Sequence, residues 1–315
     1  MVSKTLTVLF LIVACHLGGF SPLATAQSST VKFDLSKVNW NSLAFKSDNF
    51  LGSVATRVVI EELAVEAVKD RLLESPQGVS LEPLGTKVFL LTINSAIDPL
   101  FGSDELFVTR VWFSPPQASA IQRIRFRQGK EKWEKTYRWT QNGVYRLRIK
   151  PQDADEEKLP LARWTNTANS FYPYNLEQSR CLSVSESSTL LYVVSAAGLA
   201  VGDQPLNLCV FNKKQLHLVR IQVEKSQLLK IDYLEKSQHK EIRRTGKAEV
   251  LKLSFTSRSL FADETKAEPF SFLGLKGDFD IFIDKVSRIP FRISGQIPSF
   301  GKVDFKLGEV QMRPK

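Results

Sequence analysis

Six arginines, Arg123, Arg125, Arg127, Arg138, Arg146 and Arg148, are the residues whose type and spacing most plainly carry chemistry in this chain. A guanidinium is a planar fork of N–H donors that grips phosphate or carboxylate through two parallel hydrogen bonds, whereas a merely solvated face is served equally well by lysine. Spacing in twos places such residues along one side of extended strands. The chemistry they suggest is anion recognition. Trp133, Tyr137 and Trp139 lie among them and either fill a core or offer a surface for acyl chains or sugar rings.

The catalytic inventory is poor by comparison. Apart from His16 near the start, only His217 and His239 are available, and no Cys, His or carboxylate cluster stands at metal-ligand spacing. A Gly-x-Ser-x-Gly elbow and a phosphate-cradling glycine loop are both missing from the sequence. The expectation is a non-enzymatic protein with no catalytic residue, no metal and no cofactor. A polysaccharide hydrolase would need two carboxylates facing each other about 5 to 10 Å apart. Asp278, Asp280 and Asp284 are the first candidates, although alternating acids on a strand are ordinarily solvated.

The elements that must position the arginines read as three strands, over 121–127, 133–139 and 144–150. Turn-forming residues at Gly129 and at Gln141, Asn142 and Gly143 make them an antiparallel meander. One face is expected to carry Ile124, Phe126, Trp133, Tyr137, Trp139, Tyr145, Leu147 and Ile149. The opposite face would carry the six arginines and Lys150. Acids at Asp153, Asp155, Glu156 and Glu157 stand close enough in sequence to neutralise part of that charge.

Outside the meander, 27–47 is a leader or first edge segment, and 61–74 reads as a helix ending before Pro76 and Gly78, with the β-branched run 56–60 open to a strand instead. Strand patterns occupy 87–94 and 106–113, 164–174 is irregular and aromatic, and 187–197 reads as a short helix with a hydroxyl N-cap. Further strands are expected over 206–211, 216–224, 228–234, 249–255, 278–283, 288–295 and 302–311. Strands do not alternate regularly with helices. The fold class is therefore mainly β, a large curved antiparallel sheet forming a half-barrel or open barrel with one or two packed helices. In order, the chain divides into a signal peptide (1–26), an N-terminal segment with a helix (27–84), a first β meander with the basic face (85–150), an acidic loop, aromatic segment and short helix (151–204), and a second β meander (205–315).

The opening residues have the form of an export signal: Lys4, an apolar run over 6–14, the breakers Gly18, Gly19, Ser21 and Pro22, and the small-residue site Ala24, Thr25, Ala26. Cleavage before Gln27 gives a periplasmic protein. Ile12, Val13, Ala14 and Cys15 also satisfy a lipobox, which would instead leave a lipoprotein anchored through Cys15. No later apolar run approaches the roughly 20 residues of a membrane helix, so none is expected in the mature chain. The net charge is +10. Such an excess favours anionic lipid, lipopolysaccharide or polysaccharide as partner, or a solvated basic exterior, and export excludes nucleic acid. Cys181 and Cys209 admit a disulfide in an oxidising compartment, while Cys209 suits a small core position equally well.

The run Asp280, Ile281, Phe282, Ile283, Asp284, then Arg288, Ile289, Pro290, Phe291, Arg292, Ile293, and later Gly301, Lys302, Val303 resembles the closing meander of domain-of-unknown-function family 3108, a bacterial envelope family. The likeness extends weakly back through 188–197 and Gly202, about half of the mature chain. The same pattern is similar to that of periplasmic lipoprotein carriers, half-barrels in which a curved sheet wraps an apolar cavity lidded by helices. The resemblance implies a fold and supplies no catalytic residue. Together these readings point to an exported envelope protein that binds an amphipathic or anionic ligand, whether lipid, lipoprotein or polysaccharide. The alternative is a structural or scaffolding component of an envelope assembly, with a protein partner and no small ligand.

Overall fold

The computed structural model describes residues 32–49, 52–175, 181–260, 267–298 and 300–314. The export signal and Cys15 lie outside the described residues. Among the described residues the strands are β1 (Trp40–Asn49), β2 (Gly52–Ala64), β3 (Lys87–Pro99), β4 (Glu105–Ser114), β5 (Ser119–Gln128), β6 (Trp133–Thr140), β7 (Gly143–Lys150), β8 (Asn166–Pro173), β9 (Val184–Glu186), β10 (Leu206–Asn212), β11 (Gln215–Lys236), β12 (Glu241–Ser259), β13 (Ser271–Phe272), β14 (Leu275–Lys276), β15 (Phe279–Asp284), β16 (Pro290–Ile297) and β17 (Gly301–Met312). The α-helices are α1 (Ala154–Glu157) and α2 (Leu190–Ala196). No helix among the described residues is long and apolar enough to cross a membrane.

Fifteen of the strands form one sheet in the order β8-β7-β6-β5-β4-β3-β2-β1-β17-β16-β15-β12-β11-β10-β9. It consists of two meanders joined where β1 pairs with β17. Pairing is antiparallel except between β9 and β10 and between the end of β11 and β17. The protein is thus mainly β, with few helical residues, as its alternating pattern requires. In β17, residues 301–306 pair with β16, and beyond them the same side is taken by Leu234–Lys236 of β11.

Several local expectations are corrected. The chain at 61–74 is not helical: β2 stays in register with β3 from Gly52 opposite Pro99 to Ala64 opposite Lys87, and only 3-10 turns at Val65–Ala67 and Lys69–Arg71 follow. The β-branched Val58, Val59 and Ile60 extend the backbone, and neighbour pairing then overrides the helix propensity of the residues after them. Segment 164–174 is largely strand, as β8, and β1 sits mid-sheet rather than at an edge. The strands expected at 216–224 and 228–234 are one, β11, running through a register shift between Val223 and Lys225. The helix at 187–197 is present as a 3-10 turn leading into α2, but its cap is the Glu186 carboxylate accepting from the Ser188 amide, not a hydroxyl.

The sheet curls so that its two arms meet across the interior. Phe211 on β10 lies 6.2 Å from Tyr137, 5.8 Å from Trp139 and 5.8 Å from Tyr172, ring to ring. Ser185 Oγ on β9 donates to the Ala118 carbonyl just before β5 at 2.7 Å. Helix α2 fills one end of the space, all seven of its residues buried. Tyr192 stands at its centre, with ring centroids 5.1 Å from Phe113, 5.8 Å from Phe89 and 6.2 Å from Phe33. Its hydroxyl donates to the Pro115 carbonyl at 2.9 Å. Trp40 Nε1 donates to Ser195 Oγ at 3.0 Å, tying the helix to β1.

Cys181 and Cys209 form a disulfide closing a separation of 28 residues. Restricting the unfolded chain over a loop of this length is worth about 3 kcal/mol in the chain-entropy account. The Cys181→Ala/Cys209→Ala double variant should therefore lose about that much stability in urea titration, and the untreated protein should lose a similar amount on reduction. An unchanged midpoint in both would show that the bond does not constrain the unfolded state.

Candidate functional site

The three basic strands keep the expected antiparallel order, but not the expected faces. Arg127 pairs with Trp133 across the turn from β5 to β6, so Arg123 falls opposite Tyr137 and Arg125 opposite Lys135. The two-residue hairpin that follows sets Tyr137 opposite Arg146 and Lys135 opposite Arg148. Directly paired residues share a face. Arg123, Arg125, Arg127, Arg146 and Arg148 therefore lie on the same side as Trp133, Tyr137 and Trp139, while Ile124, Phe126, Tyr145, Leu147, Ile149 and Arg138 lie on the other. Gly129 permits the turn: its φ is +148°, and a Cβ there would stand 2.7 Å from the Asp104 carbonyl oxygen.

The shared face is the inner one. It borders a water-accessible cavity of about 500 Å³, lined on this side by Arg123, Arg125, Trp133, Lys135, Tyr137 and Arg146. The turn after β10 supplies Lys213 and Lys214, the sheet floor Val54, Ile93 and Ile97, and the far wall Leu273, Ile297 and Phe300. Of the arginines on β5 only Arg123 is buried; Arg125 is exposed to water, and the half-buried Arg127 forms an ion pair with Glu105 at 2.6 Å and with Glu131 at 3.1 Å.

At the bottom, Arg123 Nη1 donates to Glu186 Oε1 at 2.6 Å, with the pair almost completely removed from solvent. The same oxygen accepts from Ser187 Oγ at 3.0 Å, and Oε2 accepts from the Ser188 amide at 2.6 Å. The Arg123 guanidinium lies 4.0 Å from the Tyr137 ring centroid. Burial pulls its ionisation down, but Glu186 and Tyr137 outweigh that and hold it above the ordinary arginine range. This pair ties β5 to the entry of α2 and fixes the two arms against each other.

Higher in the cavity the cations rest on rings rather than on carboxylates. Lys135 Nζ is 3.9 Å from the Trp133 ring, Arg125 is 5.0 Å from Phe107 and 5.8 Å from Trp133, and Arg146 is 5.5 Å from Tyr172. Burial first, and then the charges of Arg125, Arg146 and Arg148, push the Lys135 ammonium down to about 8. Among the described residues none of Arg125, Lys135, Arg146 and Arg148 forms an ion pair. Arg146 donates to Ser170 Oγ at 2.7 Å and Arg148 to Asn166 at 3.4 Å, while the Nε of each is buried without a hydrogen-bond partner.

Arg138 belongs to the scaffold. It is buried on the outer face under the loop before β3, donating to the carbonyls of Leu73 at 3.0 Å, Leu81 at 2.7 Å and Ile121 at 3.0 Å. The acids after β7 do not neutralise the basic face. Asp153 caps α1, Glu156 accepts from Thr165 and Gln152, and Asp155 pairs with Lys158. Of the strand acids, Asp280 pairs with Lys252 at 3.2 Å, and Asp284 accepts from the amides of Val286 and Ser287. Glu186 was not singled out by sequence reasoning. It lies 63 residues from Arg123 and carries no local pattern, so only the closure of the sheet brings them together.

No protein-family model matches this chain, and no curated protein matches it. A solved structure similar to it is the beta-barrel-like protein of domain of unknown function DUF1849 from Brucella abortus. The two share 8% identity with a TM-score of 0.43, and the match covers 88% of this chain and 99% of that one.

Proposed function

We propose that this is an exported, non-enzymatic envelope protein that takes an anionic amphiphile into the cavity of its curved sheet. The observation that supports this reading is the lining itself: six cationic side chains stand against two carboxylates, next to the apolar Ile93, Ile97, Leu273, Ile297 and Phe300. Cations crowded on one wall with too few carboxylates to answer them repel one another and draw an anion in. The two carboxylates, Glu186 and Glu268, are each engaged, the first by Arg123 and the second by Lys213 and Lys214. Neither is free for acid or base work on a substrate, which favours binding over catalysis. The Cys181–Cys209 bond favours an oxidising compartment, in keeping with the export signal read in the first 26 residues. The likeness of the closing meander to domain-of-unknown-function family 3108 and to lipoprotein-carrier half-barrels is part of the same proposal.

Lipid extraction of the purified full chain followed by mass spectrometry is expected to release an anionic amphiphile. Calorimetry of the extracted protein should then show binding of octyl sulfate, lost on Arg125→Glu. A protein that purifies clean and binds no octyl sulfate or octyl phosphate would overturn the reading and favour the scaffolding alternative.

The affinity for octyl sulfate, which does not itself titrate, should fall as the pH rises from 7 to 9. Lys135 sheds its proton near 8, so the cavity carries one more positive charge below that pH than above it. The groups that face this ammonium are Arg125 from β5 and Arg146 and Arg148 from β7, with Glu131 from the preceding turn opposing them. Lys135→Gln should flatten the profile.

A further inference from the structure

Building on the anionic-amphiphile reading, we infer that the cavity is built for a dianionic phosphate head, gripped by Arg125, Lys135 and Arg146, with the ligand's apolar part against the Leu273, Ile297 and Phe300 wall. The rows of the sheet bring these cations together. Arg125, Lys135 and Arg148 are successive partners across β5, β6 and β7. One step deeper, Arg123, Tyr137 and Arg146 are successive partners in the same way. Neighbouring strands stand about 4.8 Å apart, so these side chains converge on one volume. Arg123 is already spent on Glu186. The remaining cations have no carboxylate among the described residues.

How they are supported matters as much as their number. A ring beneath a guanidinium or ammonium occupies one face of the group and leaves its N–H donors free. Phe107, Trp133 and Tyr172 occupy such positions beside Arg125, Lys135 and Arg146. The cavity thus presents donors that carboxylate partners would have consumed. A single carboxylate or sulfate would answer one of these charges and leave the others facing each other. A phosphate monoester, doubly charged above a second ionisation near pH 6, brings three acceptor oxygens and about two charges. Pyrophosphate esters satisfy the same chemistry.

The discriminating comparison is octyl phosphate against octyl sulfate, titrated calorimetrically at pH 7.5 into the extracted full chain below micellar concentrations. The two share tail and tetrahedral oxygen geometry and differ in charge. Octyl phosphate is expected to bind about tenfold tighter or better. Equal affinities would overturn the dianion assignment while leaving the amphiphile reading intact, and failure of both to bind would overturn both. Inorganic phosphate alone forms a third arm. Binding of it as tight as that of octyl phosphate would support the dianion site and overturn the amphiphile reading.

The residues are tested by Arg125→Gln and Lys135→Gln, each expected to shrink the phosphate preference to about threefold or less. Neither side chain makes a hydrogen bond or ion pair within the described residues, and an unchanged thermal midpoint confirms the fold. Arg127→Gln, at the rim and paired with Glu105, should keep the preference. A preference unchanged by Arg125→Gln and Lys135→Gln would overturn the assignment to these residues.

Discussion

Replacing Glu186 by alanine is expected to destabilise the protein by about 3–5 kcal/mol, the largest effect of any single polar change. The side chain is 1% exposed and accepts three hydrogen bonds, from Arg123, from Ser187 and from the Ser188 amide. Truncation strands a buried guanidinium and removes the cap of the segment leading into α2, a loss that alone is worth about 1 kcal/mol. The pair itself need not contribute that much, because desolvating two ions offsets most of their attraction. Glu186→Leu combined with Arg123→Met should accordingly recover most of the loss. Urea titration of the two single variants and the double variant checks this. A Glu186→Ala midpoint within error of the parent would mean that Arg123 finds water or another acceptor.

Tyr192→Ala should cost a comparable 3–5 kcal/mol, for a different reason. Its ring is fully buried and touches Phe33, Phe89 and Phe113, so truncation opens a cavity where α2 packs against the first meander. Tyr192→Phe keeps the ring and loses only the hydrogen bond to the Pro115 carbonyl, which should cost about 1 kcal/mol. The ratio of the two losses, read from chemical denaturation, separates packing from hydrogen bonding. Similar losses for Phe and Ala would assign the effect to the hydroxyl instead.

The class of the fold was legible because period-two alternation reports directly on extended backbone, and the short helix was legible because its apolar run is uninterrupted from Leu190 to Val194. Face assignment failed at β6 for a definite reason. Grouping by hydrophobicity joined Trp133, Tyr137 and Trp139 to Ile124 and Phe126, yet the length of the turn, not side-chain polarity, sets which residues of β6 oppose which of β5. Arginine and aromatic side chains also coexist on one face, because a guanidinium stacks on a ring. Arg138 shares only its type with the site arginines, and two of its three carbonyl partners come from a loop more than fifty residues away in sequence. Nothing in the order of residues marks Glu186, as for any ion pair made only by tertiary closure.

The junction of β1 with β17 governs how the molecule must be assembled. Leu43 pairs with Val310, so the centre of the sheet is stitched from residues separated by most of the chain. The entropy of bringing them together is spent before the contact returns anything, whereas most of the other pairings join strands that follow one another in sequence. Until that stitch is made, each meander presents an unzipped row of amides and carbonyls. A change that weakens the seam between β1 and β17 therefore opens two strand edges at once.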